Sequence, residues 1–318
     1  MIPVDLVTGF LGAGKTSFLL RYARFLLGKG QRLGILVYDH GAVNVDLPLL
    51  GTLRSERCEV ETLASACGGD CHRRRFRSRL IAMAMSGYDR ILIEPSGVFD
   101  MDEFYDTLRE EPLENWLEIG NVICVLDARL PEDLLPEEDF FLASQAACAG
   151  RVVLSRVQLA SWQEIENTLR HLDRAADAIR AAEKPSGRTL ARDWDALGAD
   201  DFADLSRCGF FFPDYVKTVA GGETGFQSLS FLNLPLGGSE LRKKAAALFH
   251  GCRYGRILRV KGFFRENGRW LALNATRHAC ELRPAAESLG VLTVIGRELD
   301  ERAIHLLLTG EEPTLHIL

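Results

Sequence analysis

The amino-acid sequence predicts an α/β protein, a parallel sheet wrapped by helices and followed by a small C-terminal α+β unit. Three observations predict it. Short apolar runs without polar alternation recur along the first half of the chain, separated by helix-length amphipathic or polar stretches, as strands buried on both faces of a wrapped sheet require. A glycine-rich loop, Gly9 to Gly14, stands between the first such run and the first helical stretch. Beyond about Tyr215 the spacing changes to adjacent strand-like runs with two helices, the pattern of an antiparallel unit.

The elements follow in order. Ile2–Val7 is the first strand, and Thr16–Leu27 places Phe18, Leu19, Tyr22, Ala23, Leu26 and Leu27 on one side of a helix that Gly28 can stop. Leu33–Tyr38, Ile91–Ile93, Val122–Leu126 and Val152–Leu154 are further buried strands. Ser161 to about Ala182 is charged and helical, and Glu183–Arg188, with Lys184-Pro185-Ser186-Gly187, interrupts it. The second unit then comprises a strand Phe226–Leu232, a helix Ser239–Phe249, strands Arg256–Phe264, Arg269–Ala275 and Gly290–Ile295, and a closing helix near Asp300–Leu308. Residues 1–190 are expected as one domain, 191–214 as a linker and 215–318 as the second domain.

Length and composition bound the function. A chain of 318 residues, 47% hydrophobic and 26% charged, suits two folded domains with a substantial core. A formal net charge of −6 argues against a general nucleic-acid binder, apart from one basic run, Arg73 to Arg79. The opening MIPVDLVTGF has no signal-peptide pattern, and no apolar stretch approaches the roughly 18 residues of a membrane span, so a cytoplasmic protein is expected. In that compartment eight scattered cysteines do not suggest a disulfide framework. The close pair Cys67 and Cys71 is read first as a metal or redox site, with two reduced thiols in a loop as the other reading.

Gly9-Phe10-Leu11-Gly12-Ala13-Gly14-Lys15-Thr16 fits G-x-x-x-x-G-K-[ST], the phosphate-binding loop of P-loop nucleotide triphosphatases, in its required strand-loop-helix context. Glycines let successive backbone N–H groups converge on phosphate oxygens, and the helix start adds its positive dipole end. Lys15 supplies charge to the β and γ phosphates, and the Thr16 hydroxyl is placed to ligate Mg²⁺. Gly9, Gly12, Ala13, Gly14, Lys15, Thr16 and Ser17 form the expected phosphate site. Three carboxylates follow strands, where such sheets collect functional groups: Asp39, Glu94 and Asp127. Asp39 and Glu94 are the candidates for Mg²⁺ and for positioning the attacking water; the alternative for all three is a helix cap or a surface carboxylate.

Val7 to Thr16 resembles the loop of the CobW-type GTPases, relatives of the nickel-insertion GTPases for urease and hydrogenase. Tyr38-Asp39-His40-Gly41-Ala42-Val43-Asn44-Val45-Asp46 resembles that family's first switch, and Ile93-Glu94-Pro95-Ser96-Gly97 its Glu-x-Ser/Thr-Gly segment near the γ-phosphate. Val125-Leu126-Asp127-Ala128 is similar to its Val-Val-Asp-Ala strand end. Arg259-Val260-Lys261-Gly262 and Val294-Ile295-Gly296-Arg297 resemble its second domain. The resemblance implies a GTP-hydrolysing metallochaperone, with GTP, Mg²⁺ and a transition metal such as Zn²⁺ or cobalt as ligands. It also implies a metal-requiring client protein, with homodimers across the nucleotide.

Two segments depart from the family. Where it has Cys-x-Cys-Cys, this chain has Ala66-Cys67-Gly68-Gly69-Asp70-Cys71-His72, so Cys67 and Cys71 are the Zn²⁺ candidates, with Cys58, Asp70 or His72 as a third ligand. Where it has Asn-Lys-x-Asp, this chain has Ser155-Arg156-Val157-Gln158. Ser155, Arg156 and Gln158 are expected at the base, and a neutral Gln amide offers one acceptor oxygen to the two guanine donors, at a cost of roughly 1.5–3 kcal/mol of discrimination. The run His72 to Arg79 reads either as a solvated helix face or as a docking surface for an acidic partner or a second subunit's phosphates. A regulatory NTPase acting on a protein client stays open beside the metallochaperone. A small-molecule kinase fits less well, since no arginine-rich lid is evident.

Overall fold

Alternation of buried strand and helix begins at the second residue. A computed structural model of the chain describes residues 1–39, 47–64, 69–217, 226–277, 280–285 and 290–311. Seven strands form one parallel sheet: β1 (Ile2–Thr8), β2 (Leu33–Asp39), β3 (Cys58–Ala64), β4 (Arg90–Glu94), β5 (Leu117–Asp127), β6 (Arg151–Ser155) and β7 (Thr189–Leu190), in the order β3-β2-β4-β1-β5-β6-β7. The helices are α1 (Lys15–Gly28), α2 (Leu47–Gly51), α3 (Gly69–Ala84), α4 (Met101–Leu108), α5 (Pro136–Cys148), α6 (Trp162–Ala178) and α7 (Ala199–Leu205). Ser161 starts α6 by a reciprocal cap: its hydroxyl accepts from the Glu164 N–H at 3.3 Å while the Glu164 carboxylate accepts from the Ser161 N–H at 2.7 Å.

Two strands of this sheet went unread in the sequence, as did Cys280–Pro284 of the second unit. β3 alternates buried Cys58 and Val60 with Glu59 and Glu61 because it is an edge strand with one neighbour, and β7 has only two residues. The expected linker also differs from the structure, since one compact unit contains Met1–Asp39 and Leu49–Gly222. Residues 191–214 fold onto it because they carry aromatic side chains that need burial. Trp194 meets Phe18 edge to face at 5.6 Å, Phe202 stacks on Phe25 at 5.7 Å, and just beyond this stretch the Lys217 ammonium reaches Asp100, the N-cap of α4, at 2.5 Å and Asp102 at 3.1 Å.

A charged group organises the first unit's core. Asp5, in the middle of β1, is fully buried, and its carboxylate accepts from the Tyr22 hydroxyl (2.7 Å), Arg90 Nη1 (2.7 Å) and both the backbone and the side-chain amide of Asn121 (2.9 Å each). Asn121 in turn bonds the Ser206 carbonyl and the Gly209 N–H. One carboxylate therefore ties β1, β4, β5 and α1, and through Asn121 the chain beyond α7. Burial, then the neighbouring carboxylate, pushes the Tyr22 phenol far up, so it stays a donor.

The second unit contains Glu223–Leu318. It is an antiparallel sheet of β8 (Phe226–Leu232), β9 (Arg256–Glu266), β10 (Arg269–Ala275), β11 (Cys280–Pro284) and β12 (Val291–Arg297), ordered β11-β10-β9-β12-β8. Its core joins Val260, Leu273, Val294 and Leu292 to Leu241 and Leu248 of α8 (Gly238–His250) and to Ile304 and Leu308 of α9 (Glu301–Thr309). Among the described residues no helix is long and apolar enough to cross a membrane.

Candidate functional site

The loop between β1 and α1 takes its shape from glycine. Gly9 and Gly14 have φ of +139° and +98°, and a Cβ on Gly9 would stand 2.0 Å from the Val125 carbonyl oxygen, so the loop starts wedged against β5. Lys15 opens α1 and is 6% exposed; its Nζ donates to the carbonyl oxygens of Gly9 at 2.9 Å and Phe10 at 3.5 Å. No side chain caps α1. The loop thus gathers the first-turn N–H groups, the positive end of the helix dipole and an ammonium in one place, a combination that suits phosphate. Ala13 is buried behind it, and Ser17 is half-buried on the first turn.

Thr16 Oγ1 donates to Glu94 Oε1 at 2.7 Å, both residues being almost fully buried. A hydroxyl and a carboxylate, both hard oxygen donors, converge between the phosphate loop and the end of β4, and that donor chemistry fits Mg²⁺. Asp39 ends β2; the register pairs Val37 with Glu94, which sets Asp39 two residues beyond that level on the adjacent strand. Its side chain lies outside the described residues, as do His40 to Asp46 of the expected switch.

The segment expected at the base is bound to the phosphate loop. Arg156 has a left-handed backbone (φ +56°), and both its terminal nitrogens donate to the Gly12 carbonyl at 3.1 Å while Nη1 pairs with Asp127. Asp127, which also accepts from the Arg129 N–H at 3.0 Å, orients that guanidinium. Ser155 is buried and Gln158 exposed. Sequence reasoning missed Trp194. Its indole N–H donates to the Leu154 carbonyl at 2.8 Å, and its ring lies 3.4 Å from where a Gly14 Cβ would stand. A tryptophan inside a supposed linker was the available signal.

Cys67 lies outside the described residues. Cys71, Asp70 and His72 lie on the first turn of α3, where the backbone alone is described. Cys58 is corrected as a third ligand. It begins β3, six residues or about 20 Å of extended chain from the strand end that leads to α3, and burial pushes its thiol up to about 11. Burial likewise pushes Cys124, Cys148 and Cys208 up to about 12, which makes them inert thiols. Among the described residues no group of three or more His, Cys, Asp or Glu could hold a metal.

The basic run on α3 is engaged within the fold: Arg73 and Arg77 pair with Glu110 at 2.5 and 3.0 Å, and Arg79 pairs with Glu61 at 2.7 Å. These arginines are 40–45% exposed, so each pair is worth about 0–1 kcal/mol, and the helix face is a solvated one. Phe76, in the middle of the run, is fully buried. It stacks on Tyr38 at 5.4 Å, and both rings meet Phe99 edge-on, at 6.2 and 5.6 Å. Three rings thus join the end of β2, α3 and the segment after β4.

Glu103, in the first turn of α4, is pushed up to about 7 by burial and then by Asp100, with Arg73 opposing. An unfolded chain releases that proton near 4.5. Between those values the native state binds more protons than the unfolded one, so this group makes stability fall as pH rises from 4.5 to about 7. Glu103→Gln should be more stable than the parent by about 1–2 kcal/mol at pH 8, after allowing for solvent screening, and no more stable at pH 4. Urea unfolding at the two pH values checks this; an equal difference at both would refute it.

Residues 3–184 match the model of the CobW/HypB/UreG nucleotide-binding domain, and residues 240–310 match that of the cobalamin synthesis protein CobW C-terminal domain. The chain is 27% identical over 156 residues to the zinc chaperone YeiR of Escherichia coli, a match covering 49% of this chain and 47% of that protein. It is 28% identical over 174 residues to the zinc chaperone YjiA of the same organism, covering 51% and 52%. The matches thus span about half the length of these two relatives. Over 323 residues it is 22% identical to the zinc-regulated GTPase metalloprotein activator 1 of Schizosaccharomyces pombe, covering 90% of this chain and 78% of that protein.

Proposed function

The chain belongs to the CobW/HypB/UreG family of nucleotide-binding proteins, and from that premise we propose that it is a GTP-hydrolysing metallochaperone, cytoplasmic, in which the Mg²⁺–nucleotide state sets how tightly Zn²⁺ is held for a client protein. The observation that carries the nucleotide half is the convergence of Lys15, Thr16 and Glu94 at one loop, with Thr16 Oγ1 2.7 Å from Glu94 Oε1. Mg²⁺, when bound, neutralises charge building on the phosphates. Lys15 and the α1 N–H groups hold those phosphates, Thr16 and Glu94 offer the oxygen ligands, and Asp39 is the second carboxylate. Gly9, Gly12, Ala13, Gly14 and Ser17 complete the cradle, and Ser155, Arg156 and Gln158 border the base.

The zinc half rests on Cys67 and Cys71 and on relatives that are named zinc chaperones. Cys67→Ala should weaken Zn²⁺ binding at least tenfold, roughly the least that loss of even a supporting contact costs a metal site. A competition titration on reduced protein, with Mg²⁺ alone and again with a non-hydrolysable GTP analogue, measures this affinity and its dependence on nucleotide. A shift between the two states supports the coupling, because linkage makes metal and nucleotide affect each other equally. Unchanged affinity in the variant would remove the cysteine pair from the reading.

A second reading is favoured by one observation. Gln158 is exposed and neutral where an aspartate would hold guanine, and Arg156 is turned to the phosphate loop. That suits a nucleotide switch with relaxed base preference acting on a protein client. Equal turnover of ATP and GTP without any metal effect would support it.

A further inference from the structure

Gln145 is a buried polar side chain that the roles above leave unassigned. It sits on α5, is fully buried, and uses both ends of its amide. Its Oε1 accepts from the Gly9 N–H at 2.9 Å, and its Nε2 donates to the carbonyl oxygens of Gly97 at 3.1 Å and Phe99 at 3.4 Å. Gly9 begins the phosphate loop, whereas Gly97 and Phe99 end the segment that Glu94 begins. That segment is therefore attached to the phosphate loop at both ends, by Thr16–Glu94 at one and through Gln145 at the other. The two backbones are also close: a Cβ on Gly97 would stand 2.5 Å from the Leu11 nitrogen.

We propose that Gln145 is a positioning residue for nucleotide hydrolysis: its amide holds residues 94–99 at a fixed distance from the phosphate loop, so that Glu94 and the backbone after it meet the γ-phosphate in one geometry. Only an uncharged group with an acceptor and a donor at the same carbon satisfies Gly9 and the two carbonyls together. The proposal rests on the GTPase reading above. Its effect belongs to the rate of the chemical step, because the diphosphate is held by the loop and α1 without the 94–99 segment.

The test compares the wild type with Gln145→Met and Gln145→Glu in single-turnover GTP hydrolysis and in GDP binding. Gln145→Met, similar in volume but with neither strong donor nor acceptor, should bind GDP within about threefold of wild type and hydrolyse GTP about 10–100-fold more slowly, the loss expected of a misplacement near 1 Å. Gln145→Glu supplies a donor and an acceptor while its carboxyl is neutral, and acceptors alone once it ionises. Burial raises such a carboxyl, so its rate relative to wild type should fall as pH rises across about pH 6–9. A structural filler would show no such pH-dependent rescue.

A wild-type rate in Gln145→Met would overturn the proposal. So would an equal loss of GDP affinity, or a flat pH ratio in Gln145→Glu. If Gln145→Met does not fold, the pH ratio of Gln145→Glu decides alone. Absence of turnover in the wild type would overturn the GTPase reading, and this proposal with it; turnover that is indifferent to Gln145 overturns this proposal only.

Discussion

Lys15→Ala should lower GTP hydrolysis by about 10²–10³-fold, equivalent to about 3–4 kcal/mol of transition-state stabilisation, while leaving the chain folded. The size follows from placement: the ammonium is buried at the start of α1, where the first-turn N–H groups and the helix dipole already converge. Folding should survive because the bonds lost to the Gly9 and Phe10 carbonyls are worth about 1 kcal/mol each. Phosphate release under saturating GTP, with circular dichroism as the control, tests both halves. Turnover within about threefold of the parent would take Lys15 out of the reaction.

Asp5→Ala should destabilise the first unit by about 3–5 kcal/mol, the cost of removing one partner from a buried ion pair. Arg90, 15% exposed at its side chain, would lose its carboxylate, and the Tyr22 hydroxyl and the Asn121 amide would lose their acceptor at the same time. Thermal unfolding should move down by roughly 6–20 °C for a unit of this size. A change below about 1 kcal/mol would mean that water or rearranged side chains take over the role.

Much of the phosphate site is legible because its signal is local. Gly9 to Thr16 carries the whole motif in eight consecutive residues, and Glu94 stands out as the carboxylate that closes an apolar run. Asp5, Gln145 and Trp194 are not legible in that way. Each has an ordinary local setting and acquires its role from residues 17 to 180 positions away, such as Tyr22 for Asp5, Gly9 for Gln145 and Gly14 for Trp194. Asp5 did carry a warning, since a carboxylate in a strand buried on both faces demands partners. The arginines of α3 were legible as charges, and their partners Glu110 and Glu61 were not.

The three rings of Tyr38, Phe76 and Phe99 restrict which movements are possible. A stacked pair such as Tyr38 and Phe76, inclined at 23°, can slide along its common plane at little cost. Phe99 stands at 87° to Tyr38 and 70° to Phe76, as a wedge against both. With close packing on every side, sliding one ring means moving the wedge. Moving α3 therefore disturbs the segment after β4 through this wedge, and the turn that bears Cys71 belongs to the helix seated at Phe76.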